Sequence, residues 1–358
     1  MIQKLDPAPE TVKGCAMRFC FVVHRAAPFP GGTEVFVQTM AEEAMKRGHE
    51  VAVLSGQHQG NCNGVRVTSD AGLLDTETFD LVIVHGATDG PARDTLARAK
   101  SLKSPVLYML VAHRSAHVRR QHLGNSSLLG WSTPLDQQII ARQGLEDRAV
   151  RVRHGIVINS SVGQAGFRAK HGIAPDRTMF LSCGGYWPNK RMRPLAKLFE
   201  QADTDAVLVT TGYDNRHDAM PARSGKVIPL LIDAHAEVLS AISEADCYLM
   251  HSRDEGFGLV LLEAMVNRTP WIAYSTGGAT VMQDFGQTYQ RDGELVRLIE
   301  TFRRDDDRIT RAQAHVRDTF SISNTMDDIE AAAKQAVHIG RAPATTRSSW
   351  WKWPRFTA

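Results

Sequence analysis

Short apolar runs alternate with helical stretches along nearly the whole chain, and that alternation admits few folds. Arg18–Val23, Val51–Leu54, Leu81–Val84 and Val106–Leu110 read as strands in the first half. Met179–Ser182, Val207–Thr211, Val227–Pro229, Cys247–Met250 and Trp271–Tyr274 read as strands in the second. Between them, Phe36, Val37, Met40, Ala41 and Ala44 mark one face of a helix that runs to Arg47, with Gly48 as its stop. Ala92–Lys100, Asp136–Gln143, Pro194–Glu200, Ala236–Glu244, Leu259–Val266 and Thr325–Val337 read as further helices. Strands alternating with helices build parallel sheets from right-handed βαβ units, and ligands of such sheets sit outside the carboxyl ends of the strands. At 358 residues the chain exceeds one core, so two α/β halves are expected. Arg151–Arg168, which mixes Gly, Ser and Asn without clear periodicity, is the expected junction. The expected organisation is a leader over 1–14, halves over 15–156 and 157–322, a helix over 323–340 and a tail over 341–358.

Composition removes several function classes. Net charge is only +3, too small to argue for nucleic acid. No apolar run reaches the length of a membrane span, and Phe19-Cys-Phe-Val-Val23 is too short for a signal peptide. The five cysteines are scattered without a C-x-x-C pair, which reads as reduced thiols in a cytoplasmic protein with no zinc site. No G-x-G-x-x-G follows the first strand, so a dinucleotide cofactor is poorly supported. The tail carries Arg341, Arg347, Lys352 and Arg355 beside Trp350, Trp351, Trp353 and Phe356. It reads either as packing against the protein or as a basic-aromatic contact with the inner face of a membrane.

The richest stretch is Glu255-Gly-Phe-Gly-Leu-Val-Leu-Leu-Glu263, directly after Cys247–Met250. It reads as strand, tight loop, helix, with Glu255 on the loop and Glu263 inside the helix. The free N–H groups near Gly258 and Leu259 then face the same space as Glu255 and attract phosphate. One carboxylate for hydroxyls, a helix end for phosphate and a second carboxylate deeper in suit a ligand that is part sugar and part nucleotide. A plainer reading of Glu263 is an ion-paired helix residue, because a carboxylate in an apolar run needs a partner. Gly31 and Gly32 allow close backbone approach to a ligand, or simply a tight turn.

Together these pieces resemble the retaining GT-B glycosyltransferases of glycosyltransferase family 4, over about Arg18 to Ile299. Glu255 and Glu263 with Gly256-Phe257-Gly258 look like the family's E-x7-E signature. Gly31-Gly32-Thr33-Glu34 is similar to its early glycine loop, and Arg47-Gly-His-Glu-Val51 to the end of its first helix. Arg153-His-Gly-Ile156 resembles its linker, Gly184-Gly-Tyr-Trp-Pro-Asn-Lys190 its G-R-x-x-P-x-K segment, and Gly277-Gly278 its later glycine turn. The resemblance implies two Rossmann-like parallel-sheet domains facing across a cleft. The acceptor lies on the first, the nucleotide sugar on the second, and the last helix crosses back. It implies a hexosyl transfer with retention, from a UDP- or GDP-sugar to a glycan, lipid-linked or small acceptor, as in polysaccharide biosynthesis, without metal or cofactor. Glu255, His113 and Lys190 are then the catalytic candidates. Gly31, Gly32, Lys190, Arg191, Gly256, Phe257, Gly258, Leu259 and Glu263 are the donor-binding candidates, Lys190 for the diphosphate and Glu263 for the ribose. Lys190 with Arg191 and Arg193 also reads as a solvated helix start. The roles of His85, Arg114, Arg119 and Arg120 stay open. Two departures bear on donor affinity: Gly185 stands where the family carries Arg, and Ala279-Thr280-Val281 lacks the usual acid. Gly185 prompts one rival, a non-catalytic nucleotide-sugar-binding protein of the same fold, and a second rival is a sugar-nucleotide epimerase of that fold.

Overall fold

Successive residues of the first strand bury on opposite sides of a sheet: Phe19, Phe21 and Val23 join one core, Cys20 and Val22 another. A strand buried on both faces reads as a continuous apolar run, the mark of a parallel sheet covered by helices. The computed structural model describes residues 15–29, 31–86, 90–111, 120–159, 162–213 and 220–339. The first sheet contains β1 (Arg18–Val23), β2 (Glu50–Ser55), β3 (Gly60–Cys62), β4 (Val65–Thr68), β5 (Leu81–His85), β6 (Val106–Met109), β7 (Leu128–Trp131) and β8 (Ala149–Arg151). Its order is β3-β4-β2-β1-β5-β6-β7-β8, and only the β3–β4 pair is antiparallel. The second contains β9 (Met179–Cys183), β10 (Val207–Gly212), β11 (Val227–Leu231), β12 (Cys247–Met250), β13 (Trp271–Tyr274) and β14 (Gln287–Tyr289), in the order β11-β10-β9-β12-β13-β14.

Both sheets reverse their winding at one point, between β1 and β5 in the first and between β9 and β12 in the second. A crevice opens outside the carboxyl ends of the strands at such a reversal. The segments leaving those four strands include His24–Phe29, Gly184–Lys190 and His251–Gly258. Topology alone therefore brings the glycine loop, Lys190 and Glu255 to one level of the molecule.

Two segments link the halves, and they touch. Ile156 accepts a hydrogen bond from Ile322 N–H at 2.8 Å and donates its own N–H to Phe320 O at 2.9 Å. A Cβ on Gly155 would lie 2.3 Å from Ser321 O, so the close approach requires glycine here. The helix Ile322–Ile339 then lies on the first half, where Met326, Ile329, Ala333 and Ala336 share a core with Phe36, Val37 and Met40. Arg47 ties it down at 2.8 Å from both Asp327 and Glu330, and Arg153 reaches Asp328 at 2.7 Å. No helix among the described residues is long and apolar enough to cross a membrane. The tail over 341–358 lies outside the described residues.

Candidate functional site

A cleft of about 330 Å³ opens between the two sheets. From the first half it is lined by Gly32, Thr33 and Phe36 of the helix Gly32–Lys46, together with His85. The second half contributes Gly185, Trp187 and Lys190, and the whole run from Asp254 to Val260, with Glu263 behind it.

The Glu255 loop is held from beneath by the late glycine turn. Gly278 N–H donates to Phe257 O at 2.7 Å. A Cβ on Gly277 would meet Glu255 O at 2.7 Å, and one on Gly278 would meet Phe257 O at 2.5 Å. The pair of glycines thus lets the two loops touch backbone to backbone. Gly258, at φ +86°, turns the chain into the helix Leu259–Val266, whose first N–H groups open on the cleft.

Lys190 lies at the end of a short 3-10 turn after β9, and its Nζ sits 2.7 Å from Glu255 Oε2. Burial opposes the ammonium charge, but the Glu255 carboxylate overrides it and raises the Lys190 pKa above the ordinary lysine value. The two residues expected to act on diphosphate and on sugar are therefore each other's partner. Among the described residues, Lys190 is the only Lys or Arg side chain lining the cleft, against Asp233, Asp254, Glu255 and Glu263.

Glu263 also has a partner that sequence reading missed. His235, at the start of the helix His235–Glu244, brings Nε2 to 2.8 Å from Glu263 Oε1. That hydrogen bond outweighs the burial of the ring and raises the His235 pKa above the ordinary histidine value. A second omission is the cleft floor. His154, from the linker motif, stacks between Phe36 of the first half (ring centroids 4.8 Å apart) and Phe257 of the Glu255 loop (5.1 Å). His85 Nε2 lies 3.3 Å from His154 Nε2, and burial depresses the His85 pKa to about 4. No single motif announces this stack, because its members come from three separate stretches.

Not every expected residue reaches the cleft. Gly31 is absent from its lining; its close approach is to Glu34, whose Oε2 would lie 2.1 Å from a Cβ there. Glu34 is buried against Arg25 at 3.0 Å, and burial raises its pKa. Arg191 also lies off the lining, in a left-handed turn (φ +54°) that starts the next helix. His113, Arg114 and Arg119 fall outside the described residues. Gly277 and Lys190 do meet Glu255, and Gly256, Phe257 and Gly258 of its loop line the same cleft with Leu259, the first residue of the following helix. No group of three or more His, Cys, Asp or Glu side chains among the described residues could hold a metal ion.

Gly185 has a structural account. A Cβ there would fall 2.0 Å from Trp187 Nε1 and 2.9 Å from Tyr213 OH. The indole covers the glycine and donates Nε1–H to Tyr213 OH at 3.2 Å. Gly185→Ala is therefore expected to lower stability by about 1–3 kcal/mol through overpacking. A urea titration checks this, and an unchanged midpoint would contradict the close packing.

Paired parallel sheets, each reversing at the cleft, define the GT-B fold. Residues 164–297 match the model of the family described as Glycosyl transferases group 1. The chain is similar to Anabaena HepE solved with UDP-glucose: TM-score 0.71, 17% identity, covering 89% of this chain and 100% of that one. It is also similar to sucrose-phosphate synthase from Thermosynechococcus elongatus (TM-score 0.70, 15% identity, 91% and 98% covered). A glycosyltransferase from Rickettsia africae gives a TM-score of 0.69 at 14% identity, with 90% and 99% covered. At these identities the likeness is one of fold. No curated protein sequence matches the chain.

Proposed function

We propose that the protein is a glycosyltransferase that takes a sugar from a nucleoside diphosphate sugar and passes it, with retention, to a glycan, lipid-linked or small acceptor. One observation carries the reading. Lys190, Glu255, the amide end of the helix Leu259–Val266 and Glu263 converge on a single cleft, all within the stretch that matches the group 1 family. A departing nucleoside diphosphate gains negative charge as the glycosidic bond breaks. An ammonium and free N–H groups aimed at that charge lower the barrier. Glu263, steadied by His235, suits ribose hydroxyls, and Glu255 suits the hydroxyls of the sugar. Retention fits a transfer on one face of the ring, in which a donor phosphate oxygen takes the acceptor's proton and no side-chain nucleophile is needed. HepE is solved in complex with UDP-glucose, so a UDP-sugar is the first donor to test here.

A second reading has one specific support. With Gly185 covered by Trp187 and Lys190 held by Glu255, the described cleft offers a donor little free positive charge. That favours a non-catalytic nucleotide-sugar-binding protein. A panel of UDP-, GDP- and ADP-sugars, incubated with and without sugar acceptors, separates the two. Release of nucleoside diphosphate with a new glycosidic product establishes the enzyme. Binding without transfer or hydrolysis across the panel would leave the binding protein. Conversion of the donor sugar without any acceptor would mark an epimerase.

Glu263→Ala is expected to weaken UDP binding by about tenfold or more, the loss of a charged hydrogen-bond acceptor. Titration calorimetry checks it. Unaltered affinity would remove Glu263 from the nucleotide site.

A further inference from the structure

Beside the Lys190–Glu255 pair lies a small cavity of about 10 Å³, lined by Lys190, Glu255, Ser182, Ser252 and His251 among others. His251 directly follows β12, four residues before Glu255, and is only 1% exposed. Its Nδ1 lies 2.5 Å from the Tyr289 hydroxyl. Its Nε2 is buried and has no hydrogen-bond partner among the described residues. An imidazole nitrogen left that way in an interior is costly, and ordered water commonly meets the need. A cavity of this size has room for one water, and its polar walls supply the two to four partners that a buried water requires.

We propose that His251 is a positioning residue for Glu255, acting through one water held in this cavity. The tautomer is assigned from the hydrogen-bond partners. Burial keeps the Tyr289 hydroxyl protonated, and Nδ1 is its one hydrogen-bond partner among the described residues, so the hydroxyl proton is placed on the bond to Nδ1. Nε2 then carries the hydrogen and donates to the water. The water in turn donates to the Glu255 carboxylate. Lys190 contributes only donors: one already goes to Glu255 Oε2 at 2.7 Å, and another can give the water a second hydrogen bond. Of the charged groups around His251, Arg191 and Arg253 oppose a further positive charge and Asp292 favours it, while Lys190 and Glu255 share the cavity wall as an ion pair. Burial and the two guanidinium groups depress the His251 pKa to about 4, so the ring stays a neutral donor at neutral pH. Glu255 is thereby fixed by the water as well as by Lys190.

The kinetic part rests on the glycosyltransferase reading; the water does not. His251→Phe keeps a ring without a donor, and His251→Gln keeps a donor without the ring. A high-resolution crystal structure of the wild-type protein is expected to show an ordered water within hydrogen-bond distance of Nε2 and Glu255. In His251→Phe that water is expected to be lost. kcat should fall about tenfold with little change in the donor KM, the effect of one hydrogen bond missing in the transition state. His251→Gln is expected to recover most of kcat. No density in the wild-type cavity would overturn the proposal. So would a wild-type kcat in His251→Phe, or an equal loss in both variants at unchanged folding, which would mark a packing role. If the wild-type protein turns over no nucleotide sugar, the proposed function fails, and the water density in the two crystals still decides the role of His251.

Discussion

Lys190→Met is expected to lower kcat/KM for nucleotide-sugar turnover by about 10²–10³-fold, the typical cost of losing one preorganised charge on a developing anion. Methionine keeps the apolar stem that packs near Gly184 and removes only the charge. Glu255→Gln should separate the two partners in an unusual way. In the resting cleft, the 2.7 Å ion pair competes with any diphosphate for the ammonium. A neutral amide competes less. Glu255→Gln is therefore expected to bind UDP about three- to tenfold more tightly than the wild type while transferring sugar more slowly. An ion pair that loses one member leaves an uncompensated charge, and a bound diphosphate supplies the compensation. Calorimetry with UDP gives the affinity, and product formation from the nucleotide sugar gives the rate. Should Glu255→Gln bind UDP more weakly than the wild type, Lys190 is not the group that the diphosphate recruits. Retention of wild-type turnover by Lys190→Met would remove it from the chemistry altogether.

Sequence carried most of this architecture because parallel strands buried on both faces announce themselves as apolar runs. The central strands β1, β5, β9 and β12 were all read from composition and spacing. The strands that escaped notice lie toward or at sheet edges. Gly60–Cys62 and Gln287–Tyr289 bury too few side chains to show a period, and Leu128–Trp131 is interrupted by Gly130. The helix Asp306–Thr319 hid behind its charge, since Ile309, Ala312 and Val316 are its only buried residues. Within the site, the local motif was legible and its partners were not. Glu263 stood out as a carboxylate needing a counterpart, yet nothing near it in sequence points to His235, 28 positions away. The same holds for the stack of Phe36, His154 and Phe257, which only the packing of the two halves assembles. Gly31 shows the converse. A side chain there would press on the buried Glu34 carboxylate, so the close approach is to Glu34 rather than to the cleft.

Stability is expected to fall steeply as pH drops from about 6.5 toward 4, and catalysis with it. Burial sets the His85 pKa at about 4, and burial with Arg191 sets that of His251 at about 4. In the unfolded chain both rings take protons near pH 6.5. Between those values the unfolded state binds more protons than the folded one, so stability rises with pH and is lost as pH falls. The full effect is about 3 kcal/mol for each ring, complete once pH reaches the folded pKa. His235 does not cancel it. Its pKa is raised, so its contribution is already complete below pH 6.5. Glu237, Glu244 and Glu330 have lowered pKa values, and their loss comes mainly below the ordinary carboxylate range. Glu34, with a raised pKa, works the other way and blunts the acid end of the window. The slope between pH 6.5 and 5 therefore belongs chiefly to the buried histidines. Protonating His85 places a charge 3.3 Å from His154, the ring that joins the first half to Phe257 and so to the loop bearing Glu255. Acid should loosen that loop before it unfolds the chain. Urea titrations at pH 7, 6 and 5 check the slope, and His85→Gln, which can still hydrogen-bond His154, should flatten it by about half. A urea midpoint unchanged from pH 7 to 5 would show that the two rings take up protons in the folded chain as readily as in the unfolded one, and the floor of the cleft at His85 would then be open to solvent rather than packed.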